Sequence, residues 1–401
     1  MSTSPSPLRD PGFAPLGTHL SRFRPDVQGL RALAVTLVIL AHANVAHATG
    51  GFIGVDVFFV ISGFVITHSL LDFGPGHLRS SLSTFYGRRV RRIVPAATLA
   101  LVATLIVADV LLGRNFPPAL IGDVRWASLF GENFRLTATS ANYFIPGITP
   151  SLVTHFWSLA VEEQFYLFYP LVFLTTVTLS PVRHRRNALR ALLGVGVVVS
   201  AWWSWHATGP APISSYYSLL TRFWELALGG LVALTPVAWR CRSRVVAVLV
   251  GVGALVALAL ATFRLTDASV YPGILAWWPC GATAALLWSG DRAAVGGPYS
   301  WLSWRPVRYV GDLSYSLYLW HYGWLVMPLY LSATAPSGVA RAWEVAGVFA
   351  CAMISYHLVE NPLRRSRRLR RDAVATTLIL VIGVAATWDA SFLVQRLIGA
   401  R

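Results

Sequence analysis

The chain has 401 residues, of which 55% are hydrophobic and only 12% charged. Soluble domains carry about 25% charged residues, so this composition speaks against a water-soluble protein and for a membrane one. The formal net charge of +16 rests on arginine alone, because all 33 basic residues are Arg.

Most of that charge fits cytoplasmic loops under the positive-inside rule. A smaller share fits a polyanionic ligand such as a nucleotide cofactor. The arginines lie in short loops between apolar spans, which argues against nucleic-acid binding. Cys241, Cys280 and Cys351 are few and odd in number, so neither a disulfide framework nor a zinc spacing follows and no metal is expected.

Residues 1–28 are rich in Pro, Gly and Ser and read as a disordered cytoplasmic segment. No cleavable signal peptide is evident, so the first span is expected to act as an uncleaved anchor. A span needs about 20 mostly apolar residues. Eleven segments qualify: 30–48, 52–71, 93–112, 157–179, 191–207, 217–237, 245–264, 271–289, 311–332, 341–358 and 373–394. The expected fold is therefore all-α, a polytopic membrane helix bundle of ten or eleven transmembrane helices. With the N-terminus cytoplasmic, 24 arginines fall on the inside and eight on the outside, Arg31 being the remaining one. One long outer loop, about 113–155, is aromatic and Pro-rich.

The first span, "LRALAVTLVILAHANVAH", carries Arg31 and His42. Eleven helical residues turn to within about 20° of three full turns and rise about 16 Å. The pair shares one face, with Arg31 at the inner interface and His42 near mid-membrane. Ionisable groups in spans are costly and face a cavity or a partner. Snorkelling of Arg31 and an interhelical hydrogen bond from His42 are the plain structural alternatives. The shared face favours a basic entrance leading to a buried base.

"GGFIGVDVFFVISGF", residues 50–64, opens the second span. Its glycines allow close helix contact. Its Asp56 needs a partner, for which His42 on the adjacent helix is the candidate. "FYGRRVRRIVP", residues 85–95, places Arg89 and Arg92 on one helix face, suited to gripping phosphate oxygens or serving as a topological stop signal. "HFWSLAVEEQFYLFYP", residues 155–170, brings Glu162 and Glu163 into a span from the outside among aromatic rings. Such carboxylates suit hydroxyl-rich acceptors or general-base work.

Weaker signals are Arg222 with Glu225 at i, i+3, Asp312 with His321, and His357 with Glu360, all consistent with helix caps and contacts. No Gly-rich phosphate loop, nucleophile elbow or zinc-protease helix is present.

Taken together, Arg31-x10-His42, "GGFIGVDVFFVISGF", "RRVRRIVPA", "FWSLAVEEQFYL", "SYSLYLWH" and "VENPLRR" resemble acyltransferase family 3, the integral-membrane O-acyltransferases, over about residues 24–371. The resemblance implies transfer of an acyl group, commonly acetyl, from cytoplasmic acyl-CoA to a hydroxyl. The acceptor it implies is a carbohydrate of the bacterial cell envelope or a glycosylated secondary metabolite. It also implies a multi-pass protein of the plasma membrane. The family's Arg-x10-His pair falls on Arg31 and His42, and its Arg-x-x-Arg motif on Arg89 and Arg92.

The combined expectation assigns Arg31, Arg89 and Arg92 to the acyl-CoA phosphates. His42 is general base or transient acyl carrier, Asp56 its partner, and Glu163 holds the acceptor from the outer side. Residues 29–371 form the acyltransferase domain. Residues 372–401 form an extra span and short tail, where family relatives often continue into an extracytoplasmic SGNH-type domain. A protein acting alone and a shortened form both stay open. The competing reading is a proton-coupled transporter or flippase of a glycoconjugate, with His42 and Asp56 as its proton relay.

Overall fold

In the computed structural model, the described residues are 24–72, 78–139, 150–239, 241–290, 296–332, 338–366, 369 and 373–400. All but five residues of the expected N-terminal segment (1–28) therefore lie outside them. The described residues form helices and no strand.

The main helices are α1 (Pro25–His42), α2 (Gly54–Leu71), α3 (Leu78–Leu112), α4 (Ala119–Ser128), α5 (Glu132–Ala138), α6 (Phe156–Leu179), α7 (Arg185–Thr208) and α8 (Pro212–Tyr217). They continue with α9 (Leu219–Ala233), α10 (Arg244–Arg264), α11 (Trp277–Ser289), α12 (Pro298–Leu302), α13 (Arg305–Leu331), α14 (Gly338–Ser355), α15 (Asn361–Arg365) and α16 (Ala373–Gly399). Each of the eleven apolar segments falls on one of these helices.

Among the described residues, six stretches are long and apolar enough to cross a membrane, those built on α2, α3, α7, α10, α14 with α15, and α16. The chain is thus a multi-pass membrane protein. Of the other long helices, α1, α6 and α13 carry buried or half-buried polar groups. These include Asp26 and Arg31, Glu162 and Glu163, and His321.

Helix α1 starts earlier and stops earlier than its apolar stretch suggests. Pro25 at its first turn and Asp26 beside the N-terminal dipole favour the start. Arg24 pairs with Asp26 at 2.5 Å and donates to the Leu287 carbonyl of α11 at 2.9 Å. The helix ends at His42, and Asn44 and His47 then adopt positive φ. A short 3-10 turn, Thr49–Ile53, leads into α2. His42 is therefore the last residue of its helix rather than an interior one.

Glycines set the helix spacing. A Cβ on Gly63 of α2 would lie 1.7 Å from the Leu226 carbonyl oxygen of α9, and one on Gly229 of α9 would lie 1.9 Å from that of Val60. The two backbones touch reciprocally, as small residues permit inside membranes. Gly29 of α1 sits against the Leu302 backbone at the end of α12, and α1 and α13 meet backbone to backbone through Gly311 against Gln28. They run parallel, so Arg31 stands near Ser314 and Tyr315, and His42 near His321.

The stretch expected as one long loop contains α4 and α5. Arg135 pairs with Asp123 between them, and Arg125 reaches Ser391 of α16 at 2.8 Å. Glu132, the first residue of α5, is fully buried, and neither carboxylate oxygen has a hydrogen-bond partner among the described residues. Burial, then the nearby Asp123 charge, push its carboxyl up to about 10.

Two outcomes are expected. Gly63→Ala lowers stability at the upper end of roughly 1–3 kcal/mol for overpacking, whereas Gly194→Ala, in open space, costs nothing measurable by thermal unfolding in detergent. For Glu132 the folded state holds a proton that the unfolded state releases above the ordinary carboxylate range. Stability is therefore lost as pH rises from there toward about 10. Glu132→Gln removes that loss: its melting temperature exceeds wild type at pH 8, and the gap closes near pH 4.

Candidate functional site

A cavity enclosing roughly 740 Å³, open mouth included, lies between α1, α2, α3, α6 and α13. Arg31, Arg89 and Arg92 line it together. Their helices bring them there for separate reasons: Arg31 faces the α1–α13 seam, and the i, i+3 spacing of Arg89 and Arg92 turns both inward from α3. The basic run divides its labour, since Arg91 points elsewhere and donates to the Leu369 carbonyl at 2.8 Å and Thr376 of α16 at 3.1 Å.

Carboxylates balance the arginines. Glu162 and Glu163 of α6 line the same cavity. Glu162 accepts hydrogen bonds from the hydroxyls of Ser62 and Tyr166. Arg89 lies 4.3 Å over the Tyr166 ring, a cation–π contact. A π-turn at Tyr356–Glu360 carries Glu360 into the bundle, fully buried. There it sits 3.7 Å from Arg92 and accepts from Ser316 at 2.9 Å. Single π-turns often mark functional positions. Glu163, expected to hold the acceptor from the outer side, lines the same cavity as the three arginines.

Beyond the arginines, the cavity wall is formed by Ser158 and Tyr318, whose hydroxyls lie 2.6 Å apart. Behind them three imidazoles cluster. His42 Nδ1 is 3.2 Å from His321 Nε2. His155 stacks on Tyr322 at 5.0 Å and packs 5.2 Å from the His321 ring. Tyr322 also meets His42 edge-on at 5.0 Å. Three chain segments supply them: the end of α1, the residue capping the start of α6, and the middle of α13. His321 and His155 were not among the expected site residues. His321 is read in the sequence only with Asp312, as a helix cap or contact, and His155 only as the first residue of the stretch 155–170.

Asp56 does not pair with His42. It forms a salt bridge with Arg222 at 2.9 Å, and Arg222 also holds Glu225 at 2.9 Å, all three essentially inaccessible. The rings of Trp157, Tyr216 and Tyr271 surround the guanidinium at 4.9–5.5 Å. The expected Arg222–Glu225 contact is present, with Asp56 as its third member. Asp56, Glu225 and Cys280 offer ligand atoms within 4.8 Å of one another, but the guanidinium already supplies the positive charge between the carboxylates. A proton path running from His42 to Asp56 loses its direct link.

The model of the Acyltransferase domain matches residues 24–358. The chain is 33% identical over 369 residues to "Peptidoglycan O-acetyltransferase OatA" of Listeria monocytogenes, covering 87% of this chain and 57% of that protein. It is 33% identical over 366 residues to "Putative peptidoglycan O-acetyltransferase YrhL" of Bacillus subtilis, covering 86% and 56%. It is 34% identical over 347 residues to "Putative membrane-bound transacylase BcsY" of Komagataeibacter xylinus, covering 84% and 82%. The chain thus spans just over half the length of the first two relatives. No solved structure matches it.

Removing one member of the buried ion group exposes its cost. Arg222→Met leaves two carboxylates without their cation and is expected to destabilise by about 3–5 kcal/mol. The triple variant Asp56→Asn, Arg222→Met, Glu225→Gln, with no charge left, recovers most of that loss in thermal unfolding.

Proposed function

The chain belongs to the acyltransferase domain family, and on that premise we propose that it is a membrane O-acetyltransferase. In this reading it moves an acetyl group from cytoplasmic acetyl-CoA to a sugar hydroxyl of a bacterial cell-envelope glycan. The observation that carries the reading is one cavity with Arg31, Arg89 and Arg92 on one wall and, beyond Tyr318 and Ser158, the His42–His321 pair. The relatives' names point to peptidoglycan as the acceptor class.

In this reading the N-terminus is cytoplasmic and the eleven apolar segments span the plasma membrane. Residues 29–371 form the catalytic bundle, to which α16 adds one further span. The arginines hold the phosphates of acetyl-CoA at the cytoplasmic mouth, where guanidinium groups bind phosphate in bidentate fashion. Glu163 and Glu360 orient the arginines rather than meet the acceptor. The thioester arm extends past Tyr318 toward His42, roughly 16 Å from Arg31 by helical rise.

His42 takes the proton of the acceptor hydroxyl as that oxygen attacks the thioester carbonyl carbon. The carbon–sulfur bond breaks, and the thiolate leaves and receives the proton from His42. Asp56 takes no part in this step; its place is in the ion group with Arg222. The transporter reading needs His42 and Asp56 to exchange a proton, and their separate partners disfavour it.

The test uses purified protein in detergent with acetyl-CoA and a muropeptide acceptor, with ester formation followed by mass spectrometry. His42→Ala is expected to lower kcat by about 10²–10⁴-fold, the usual worth of general acid–base catalysis. Arg89→Ala with Arg92→Ala is expected to raise the KM for acetyl-CoA by about tenfold or more, in line with the loss of charge-assisted hydrogen bonds. Near wild-type transfer by His42→Ala would refute the base assignment, and unchanged acetyl-CoA binding by the double variant would refute the phosphate assignment.

A further inference from the structure

We propose that His321 is the positioning residue of the reaction, the group that fixes the tautomer of His42 and receives its Nδ1 proton as a hydrogen bond. This rests on His42 acting as the base. His321 Nδ1 lies 2.7 Å from the Tyr318 carbonyl oxygen, which only accepts, so His321 Nδ1 carries a hydrogen. A neutral imidazole bears one N–H, which leaves a lone pair on His321 Nε2.

That lone pair is 3.2 Å from His42 Nδ1, so the shared hydrogen belongs to His42 Nδ1. In neutral His42 the basic lone pair then sits on Nε2. The Tyr318 carbonyl therefore sets the tautomer of His321, and His321 Nε2 acts on His42 alongside the Val38 backbone carbonyl, to which His42 also hydrogen-bonds.

The arrangement is held from several sides. The Tyr318 hydroxyl is tied to Ser158 at 2.6 Å and to the His155 carbonyl at 3.1 Å. His155 packs against the His321 ring, and its own Nε2 lies 3.3 Å from the Leu319 carbonyl. His321 is completely buried. When His42 takes a proton, its Nδ1–H already points at the His321 lone pair, so the cation is stabilised with no group moving. In serine hydrolases an aspartate performs this service. Here a neutral imidazole orients the base without placing another negative charge in an apolar bundle, where an uncompensated charge is expensive.

The role predicts different outcomes for two substitutions. His321→Leu keeps bulk but has no acceptor. His321→Gln places a carbonyl oxygen near the position of Nε2 and accepts the same hydrogen bond, yet it cannot take up a proton. In the acetyl-transfer assay, His321→Leu is expected to lower kcat by about 10²-fold or more, as loss of the correct tautomer does in catalytic triads, with the KM for acetyl-CoA unchanged. His321→Gln is expected to recover at least a tenth of wild-type kcat.

Equal inactivity of two folded variants, or wild-type kcat in His321→Leu, overturns the proposal. If His42→Ala is inactive in the same assay, the base reading survives either result; if it is active, that reading fails first and by itself. Should the leucine variant fail to fold, 15N spectra of histidine-labelled wild type decide. A protonated Nδ1 and bare Nε2 on neutral His42 support the proposal, and the reverse tautomer overturns it.

Discussion

Charge inside a membrane protein must be matched by opposite charge, by hydrogen bonds or by water, and the interior of this bundle is organised around that requirement. Arg92 meets Glu360, Arg222 meets Asp56 and Glu225, and Arg89 lies over Tyr166 beside Glu162 and Glu163. The first and third of these border the cavity, whereas the second is sealed. The same residue types thus serve two ends. The Arg222 group locks α2 to α9, and the cavity group leaves space for a ligand among its arginines.

Backbone contact makes the matching possible. Glycines bring α2 within van der Waals touch of α9, and α1 within touch of α13. Across the α1–α13 contact one imidazole reaches another, and elsewhere in the bundle Ser62 reaches Glu162 and Ser316 reaches Glu360. A wider bundle would leave these groups unpaired at a cost of about 1–3 kcal/mol for each buried polar atom. Packing and chemistry are therefore one design, in which the small residues of the glycine motif hold the site at hydrogen-bonding distance.

Much of this was legible in the chain. Hydropathy placed a helix on every apolar segment, and periodicity put Arg31 with His42 and Arg89 with Arg92 on inward faces. What local pattern does not carry is pairing between distant segments. Asp56 was matched to His42 because the two are neighbours along the chain, yet its partner, Arg222, lies 166 positions away. His321 was grouped with its chain neighbour Asp312 and His155 drew no reading of its own, because contacts between rings of distant segments leave no local pattern. The early end of α1 at His42 depends on left-handed residues, Asn44 and His47, in a run that reads as continuously apolar.

The account's central claim is that one cavity joins a phosphate-binding wall to the His42 imidazole. A cryo-electron microscopy structure with a non-hydrolysable acetyl-CoA analogue tests it most directly. The account predicts phosphate density among Arg31, Arg89 and Arg92, with the acyl carbonyl beside Tyr318 and His42. Phosphates bound away from those arginines, or an acyl group ending on a helix face remote from His42, would contradict it.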